Sequence, residues 1–339
     1  MLELRDVSKI YRVGTFGSHE LRAVNHVSFS IAPGQVVSLI GESGSGKSTI
    51  GKMILRLISV SSGSISFQGT DVSALKRSAL KEYYRTVQGV FQDPFSSYNP
   101  IFKTDRVFEI VRQEYFPDLA RETWNTKVDQ ALESVGLNPA EVRNKYPHQL
   151  SGGQLQRMLI GRALLLDIDL LVADEIISML DASTRIDVLN LLSDLAKRGL
   201  AILFVTHDLS LGYYLSDRTV ILYRGAVVEI GDTKRVLGSP LHPYTKMLMT
   251  AIPQIDERWD GGAEDQPNLP GIEHPAIPSL PNGCVYYDRC PVARSELGCN
   301  RAMPELVEIE PDHQVACFKA VADLQTPSTG WQHPPERGA

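Results

Sequence analysis

The stretch "GESGSGKST", Gly41 to Thr49, follows the order G-x-x-x-x-G-K-[ST]. Those residue types at that spacing suit a phosphate chain. Glycines let backbone N–H groups turn inward onto phosphate oxygens. Lys47 adds a point positive charge toward the β- and γ-phosphates, and the Ser48 hydroxyl can ligate Mg²⁺. Gly41, Ser43, Gly44, Ser45, Gly46, Lys47, Ser48 and Thr49 are therefore the expected nucleotide-phosphate residues. The apolar run "VVSLI" precedes them and the helix-like "TIGKMILRLI" follows. A helix that starts at such a loop favours an anion.

A second stretch, "LLVADEIISMLD", runs from Leu170 to Asp181. Its apolar half leads into two adjacent carboxylates, Asp174 and Glu175. A phosphate loop needs an acid at the end of another strand to hold Mg²⁺. Asp174 fits that role. Glu175 then lies beside the metal, where it could accept a proton from an attacking water.

These residues need elements to position them. The runs at 36–41, 169–174 and 200–207 are nearly continuous in apolar residues, as parallel strands buried on both faces require. The run "TVILYRGAVVEIG" (219–231) reads as a hairpin turning at Arg-Gly. "RIDVLNLLSDLAKRG" (185–199) reads as a helix with Ile186, Leu189, Leu192 and Leu195 on one face and Gly199 as its stop. Strand, helix and strand make a βαβ unit. Between Pro100 and Gln149 the chain turns charged and helical, which reads as an insertion into the α/β core. After about residue 255 a proline-rich stretch without periodicity, "QPNLPGIEHPAIPSLPNG", reads as a linker or extended wrap.

The chain has 339 residues, a net charge of −6, 43% hydrophobic and 22% charged residues. That is enough chain for one large domain and a smaller one. The acidic balance gives no reason to expect a nucleic-acid partner. No apolar run is long enough for a transmembrane helix, and the polar start "MLELRDVSKIYRVG" does not read as a signal peptide. The expectation is a chain at the cytoplasmic face of the cell membrane, attached through partners. All four cysteines lie after residue 283, spaced C-x5-C-x8-C-x17-C. In a reducing compartment that clustering points to metal before disulfides, although it is not a paired C-x2-C zinc knuckle.

"LSGGQLQR" (150–157) adds a third phosphate-facing motif. In this order the three motifs resemble those of ATP-binding-cassette (ABC) ATPases, over roughly residues 1–250. The resemblance implies an α/β P-loop NTPase fold with a parallel-rich sheet, an antiparallel β subdomain and a helical subdomain at about 93–165. The cassette would span 1–255, and a small Pro/Cys-rich extension 256–339. It also implies roles. Tyr11 would stack on adenine. Gln92, in "GVFQDPFSSYNP", would join Ser48 and Asp174 at Mg²⁺. Ser151, Gly152, Gly153 and Gln154 would contact the γ-phosphate held by an opposite cassette. Asp181 would couple the two cassettes. His207 would hold the γ-phosphate and the water, with Glu175 and Lys47 completing the catalytic set.

Members of that family usually carry proline after the catalytic glutamate, and here the residue is Ile176. A freer φ at that point predicts a less rigidly set Glu175 and slower turnover. The motif "VFQDPFSSYNP" and the cysteine-bearing tail resemble the ATPase subunits of dipeptide and oligopeptide importers. The resemblance implies two transmembrane permease subunits, a second ATPase (a paralogue before a copy of itself) and an extracytoplasmic solute-binding protein. It also implies a [4Fe-4S] cluster on Cys284, Cys290, Cys299 and Cys317, with zinc or unligated thiols as alternatives. Oligosaccharide or nickel import, or a soluble non-transport ABC ATPase, stand as alternative functions.

Overall fold

The computed structural model describes residues 1–13, 19–250 and 283–325. The described chain forms two compact units, Met1–Ala226 and Val227–Ala339. The expected linker, and the boundary expected near 255, fall on residues 251–282, outside the described residues.

The first unit begins with strands β1 (Leu2–Val13) and β2 (His19–Ile31), then β3 (Val36–Ile40) and helix α1 (Lys47–Ile54). Strands β4 (Ser62–Phe67) and β5 (Thr70–Asp71) lead to α2 (Arg77–Thr86) and β6 (Val87–Val90). Helices α3 (Arg106–Tyr115), α4 (Arg121–Ser134), α5 (Pro139–Val142) and α6 (Gly152–Leu164) follow. The unit closes with β7 (Leu170–Asp174), α7 (Ala182–Lys197), β8 (Ala201–Thr206), α8 (Leu209–Leu215) and β9 (Arg218–Tyr223).

Two sheets result. One is antiparallel, in the order β2-β1-β4-β5, and the other runs β9-β3-β8-β7-β6 with parallel pairings. Every residue of β3, β7 and β8 is buried, which explains their unbroken apolar sequence. The register pairs Ile40 with Thr206 and Asp174 with Val205. One edge of the sheet therefore collects the C-terminal ends of β3, β8, β7 and β6. Open α/β sheets bind ligands at that edge.

The expected α/β core, antiparallel sheet and helical insertion are all present. The insertion buries Phe108, Trp124, Val128, Leu132 and Leu159 in a core shared with α7. Arg143 staples it from within, donating to Asp105 at 3.0 Å and to Asp129 at 2.9 Å. Helix α7 starts earlier than the apolar spacing suggested, because Asp181 caps it by accepting from Thr184 N at 3.0 Å. Past its last residue, Lys197, the chain turns away at Gly199, whose φ of +104° allows its N–H to reach Ala196 O at 2.8 Å. Its buried stripe uses Val188, Leu189, Leu192 and Leu195, while Ile186 is 46% exposed. The turn expected at Arg-Gly is Arg224–Gly225, both at positive φ.

The second unit contains β10 (Ala226–Asp232), α9 (Thr233–Gly238), α10 (Pro243–Thr250), β11 (Val307–Glu310), β12 (His313–Val315) and α11 (Phe318–Gln325). Strand β12 pairs antiparallel with both β10 and β11. No helix among the described residues is long and apolar enough to cross a membrane.

Candidate functional site

The loop after β3 brings its residues together as the motif predicts. Gly46 sits at φ +102°, and a Cβ there would lie 2.3 Å from Ala23 O, so only glycine fits. Lys47 is buried, and its ammonium donates to the loop's own Gly41 O at 2.6 Å and Glu42 O at 2.9 Å. Burial lowers its pKa, while Glu175, Asp174 and Glu42 work in the opposite direction. Ser43 and Gly44 are exposed, Ser45 is buried, and Ser48 and Thr49 are half-buried.

Ser48 Oγ donates to Asp174 Oδ1 at 3.1 Å, joining the start of α1 to the end of β7. Burial raises the Asp174 pKa, the Ser48 hydrogen bond lowers it, and neighbouring Glu175 raises it. A buried carboxylate and a hydroxyl that converge in this way fit a hard divalent cation, which takes oxygen ligands and would favour the ionised acid.

Glu175 has a φ of +51°, a left-handed conformation uncommon for a residue with a side chain. Its N–H donates to Val205 O at 3.0 Å, and its carbonyl accepts from Ser178 N at 3.1 Å and Ser178 Oγ at 2.9 Å. Ile176 and Ile177 are 1% and 2% exposed and pack into the core. The loop expected to be less rigidly set is thus pinned on both sides of the acid. The His207 ring lies 3.5 Å from the Glu175 carboxylate, Nδ1 to Oε1. Beside the pair is a cavity of about 50 Å³, lined by Ser178, Arg185, Thr206 and Asp208. It is polar and large enough for ordered water. The sequence reading missed these four residues, whose only signal is proximity to the motifs.

Ser151 caps α6 in a reciprocal box, accepting from Gln154 N at 3.2 Å while Gln154 Oε1 accepts from Ser151 N at 2.9 Å. Gly152 follows as the first residue of the helix. A Cβ on Gly153 would lie 2.3 Å from Thr184 Cγ2, so this glycine lets α6 approach the start of α7. Asp181 is exposed, and its bonds to Ser183 and Thr184 hold its pKa well below the usual range. Gln92 is exposed just past β6, the strand next to β7. Tyr11 lies on β1, half-buried, with the Lys9 ammonium 5.2 Å from its ring centroid.

The second unit holds the cysteines. Cys284, Cys290, Cys299 and Cys317 are free, and all four line one cavity of about 20 Å³ together with His242, Pro243 and Tyr286. Burial pushes the Cys284 thiol up to about 11 and raises Cys290 and Cys317, and neighbouring thiols add to each rise. As they stand, no group of three or more His, Cys, Asp or Glu among the described residues is arranged to hold a metal ion. Four thiols nonetheless line one cavity, and no carboxylate lines it.

Behind the cavity lies a node that the sequence reading missed. Glu229 on β10 is fully buried. Its Oε1 accepts from His313 Nε2 at 2.7 Å and Leu241 N at 2.8 Å, and its Oε2 accepts from His242 N at 3.0 Å. The available signal was a lone acid in the apolar run "AVVEIG". Burial depresses the His242 pKa to about 3.

Comparison with known proteins matches residues 24–178 to the family described as "ABC transporter" and residues 228–299 to "Oligopeptide/dipeptide transporter, C-terminal region". A Brucella ovis relative named "Putative peptide import ATP-binding protein" is 41% identical, covering 94% of this chain and 98% of its own. The oligopeptide transport ATP-binding protein AppF of Bacillus subtilis is 39% identical, covering 94% and 96%. Among solved structures, a dimeric ATP-binding cassette in a post-hydrolysis state, bound to ADP and Pi, superposes with a TM-score of 0.62. Its identity is 28%, with 69% of this chain and 99% of that one covered. The cbiO1 protein of Clostridium perfringens, part of the ABC transporter complex cbiONQ, gives 0.61 at 25% identity, covering 70% and 90%.

Proposed function

The chain belongs to the ABC transporter ATPases, and from that premise we propose that its ATP hydrolysis powers import of di- or oligopeptides. The observation that carries the peptide reading is the likeness to peptide-import relatives over nearly their whole length, tail included. In this reading residues 1–255 form the cassette and 256–339 the extension. The chain sits at the cytoplasmic face of a membrane with two permease subunits, a second ATPase and an extracytoplasmic solute-binding protein.

Each site residue acts through the geometry described. Lys47 leaves its loop carbonyls for the β- and γ-phosphates. Ser48 and Asp174, with Gln92, would hold Mg²⁺, which neutralises phosphate charge when bound. Glu175 takes a proton from water that attacks the γ-phosphorus, and the ADP oxygen leaves on the opposite side. His207, 3.5 Å from Glu175, holds the water and γ-phosphate. Tyr11 stacks on adenine. Ser151, Gly152, Gly153 and Gln154 close on ATP held by the opposite cassette, and Asp181 links the two sites. The exposed Ser151 and Asp181 suit contact with a second cassette.

The four-cysteine cavity is proposed to hold an iron–sulfur cluster through Cys284, Cys290, Cys299 and Cys317. Its place in the second unit supports a structural or regulatory role. Peptide import is tested by deleting the chain's gene and feeding labelled di- and oligopeptides. Loss of uptake, restored by the parent and not by Lys47→Ala, is the expected result. Unchanged peptide uptake with loss of nickel or oligosaccharide uptake would overturn it.

A further inference from the structure

Arg185, near the start of α7, is a half-buried cation to which the ATP chemistry above gives no part. Its Nε donates to Leu180 O at 2.9 Å and its Nη2 to Ser178 O at 3.4 Å. Both acceptors are main-chain carbonyls, not carboxylates. They flank Met179, which is 62% exposed, while Ile176, Ile177 and Leu180 are buried. The main-chain N–H of Arg185 donates to Asp181 O at 2.9 Å, so the side chain reaches back from a helix that is already fixed.

The clipped segment begins at Glu175. A residue with a side chain keeps a φ of +51° only where its surroundings impose it. The Glu175 carbonyl accepts from Ser178 N at 3.1 Å and from Ser178 Oγ at 2.9 Å. Ser178 therefore works in two directions. Its N–H and hydroxyl hold Glu175, and its carbonyl is held by Arg185. Leu180 N closes a further turn on Ile177 O at 3.2 Å. The Arg185 side chain also lines the cavity beside Glu175 and His207. A guanidinium suits such a clip, because its planar fork sets the spacing of two acceptors and a single ammonium does not.

We propose that Arg185 is a positioning residue for ATP hydrolysis: its fork holds the carbonyls of Ser178 and Leu180, and through Ser178 it fixes the Glu175 backbone and one wall of the water cavity; the inference rests on Glu175 being the base. Its action runs through Ser178 and Glu175, not through contact with phosphate. A displaced base costs rate. ATP binding, which belongs to Lys47 and its loop, is left as it was.

The test uses the full chain as parent, Arg185→Met and Arg185→Lys, and the methionine change again together with Glu175→Gln. Hydrolysis of ATP with Mg²⁺ is measured for each. Methionine keeps an apolar stem and removes every donor, while lysine keeps the charge and one donating group. The kcat of Arg185→Met should fall about tenfold with KM unchanged, and Arg185→Lys should recover part of the loss. With Glu175→Gln in place, Arg185→Met should cost nothing further, because the group it positions is gone. A merely structural role would lower the thermal midpoint and cut the rate alike in both backgrounds, and that result would overturn the inference. An unchanged kcat in Arg185→Met would also overturn it and leave the ATPase reading standing. A parent without hydrolysis, or a Glu175→Gln variant as fast as the parent, would overturn the base assignment and the inference together. Should Arg185→Met fail to fold, Arg185→Lys decides. A kcat equal to the parent's then overturns the inference, and a severalfold fall at unchanged KM supports it.

Discussion

The phosphate loop and the cysteine cavity are built by opposite methods. The first draws on the ends of adjacent parallel strands, so its parts meet because the sheet brings them to one edge. The second collects Cys284 to Cys299 from a segment of little regular structure, Cys317 from just after β12, and His242 from the start of α10. No sheet edge aligns these pieces. A buried carboxylate, Glu229, does so by accepting three hydrogen bonds, two from neighbouring Leu241 and His242 and one from distant His313. A site on a sheet edge tolerates change in any one side chain's support, whereas a site held by one node depends on that node.

The sharpest way to break this comparison is Glu229→Gln. It takes one acceptor oxygen from the His313, Leu241 and His242 donors and turns an amide donor toward N–H groups that already donate. Each buried donor left unmatched costs about 1–3 kcal/mol, and the amide disturbs more than one. The second unit should lose protection in hydrogen exchange, while nucleotide affinity in the first unit stays unchanged. Equal loss in both units would erase the distinction.

Gly153→Ala probes the other side at lower cost. The added Cβ meets Thr184 Cγ2 at 2.3 Å, and overpacking of this kind costs about 1–3 kcal/mol. The thermal midpoint should drop, and the paired Thr184→Ser change should recover most of it. A single variant as stable as the parent would show that α6 does not need its close approach to α7. Ser151→Ala is expected to be milder, about 1 kcal/mol from the lost helix cap, read as a small fall in the urea midpoint.

The same contrast explains what the sequence made legible. Phosphate chemistry demands glycines at fixed offsets and an acid at a strand end, so Gly41–Thr49 and Asp174–Glu175 stand out from their residue types and apolar neighbours. The fully buried strands and the Gly199 stop follow from the same local rules. Glu229, His313 and His242 lie far apart in the chain, and nothing local links them. Arg185 and Ser178 beside Glu175 were hidden for the same reason. At Ile176 the difference from expectation has another cause. Freedom at φ was weighed in isolation, but the side chain is buried and its neighbours bond both peptide groups of Glu175. Ile176→Pro is therefore expected to hydrolyse ATP no faster than the parent. A proline also pushes the residue before it toward extended backbone, against the φ of +51° at Glu175. A clear gain in turnover would restore the loose-loop view.

The central claim is that Glu175, at the strand end beside Asp174, activates the water that cleaves ATP. Steady-state ATP hydrolysis and nucleotide binding, measured with Mg²⁺ on the parent and Glu175→Gln, test it most directly. Loss of a general base typically costs about 10²–10⁴ in rate. The account predicts a fall in that range with ATP affinity retained. Equal turnover in the two proteins would contradict it and move the base elsewhere at the sheet edge.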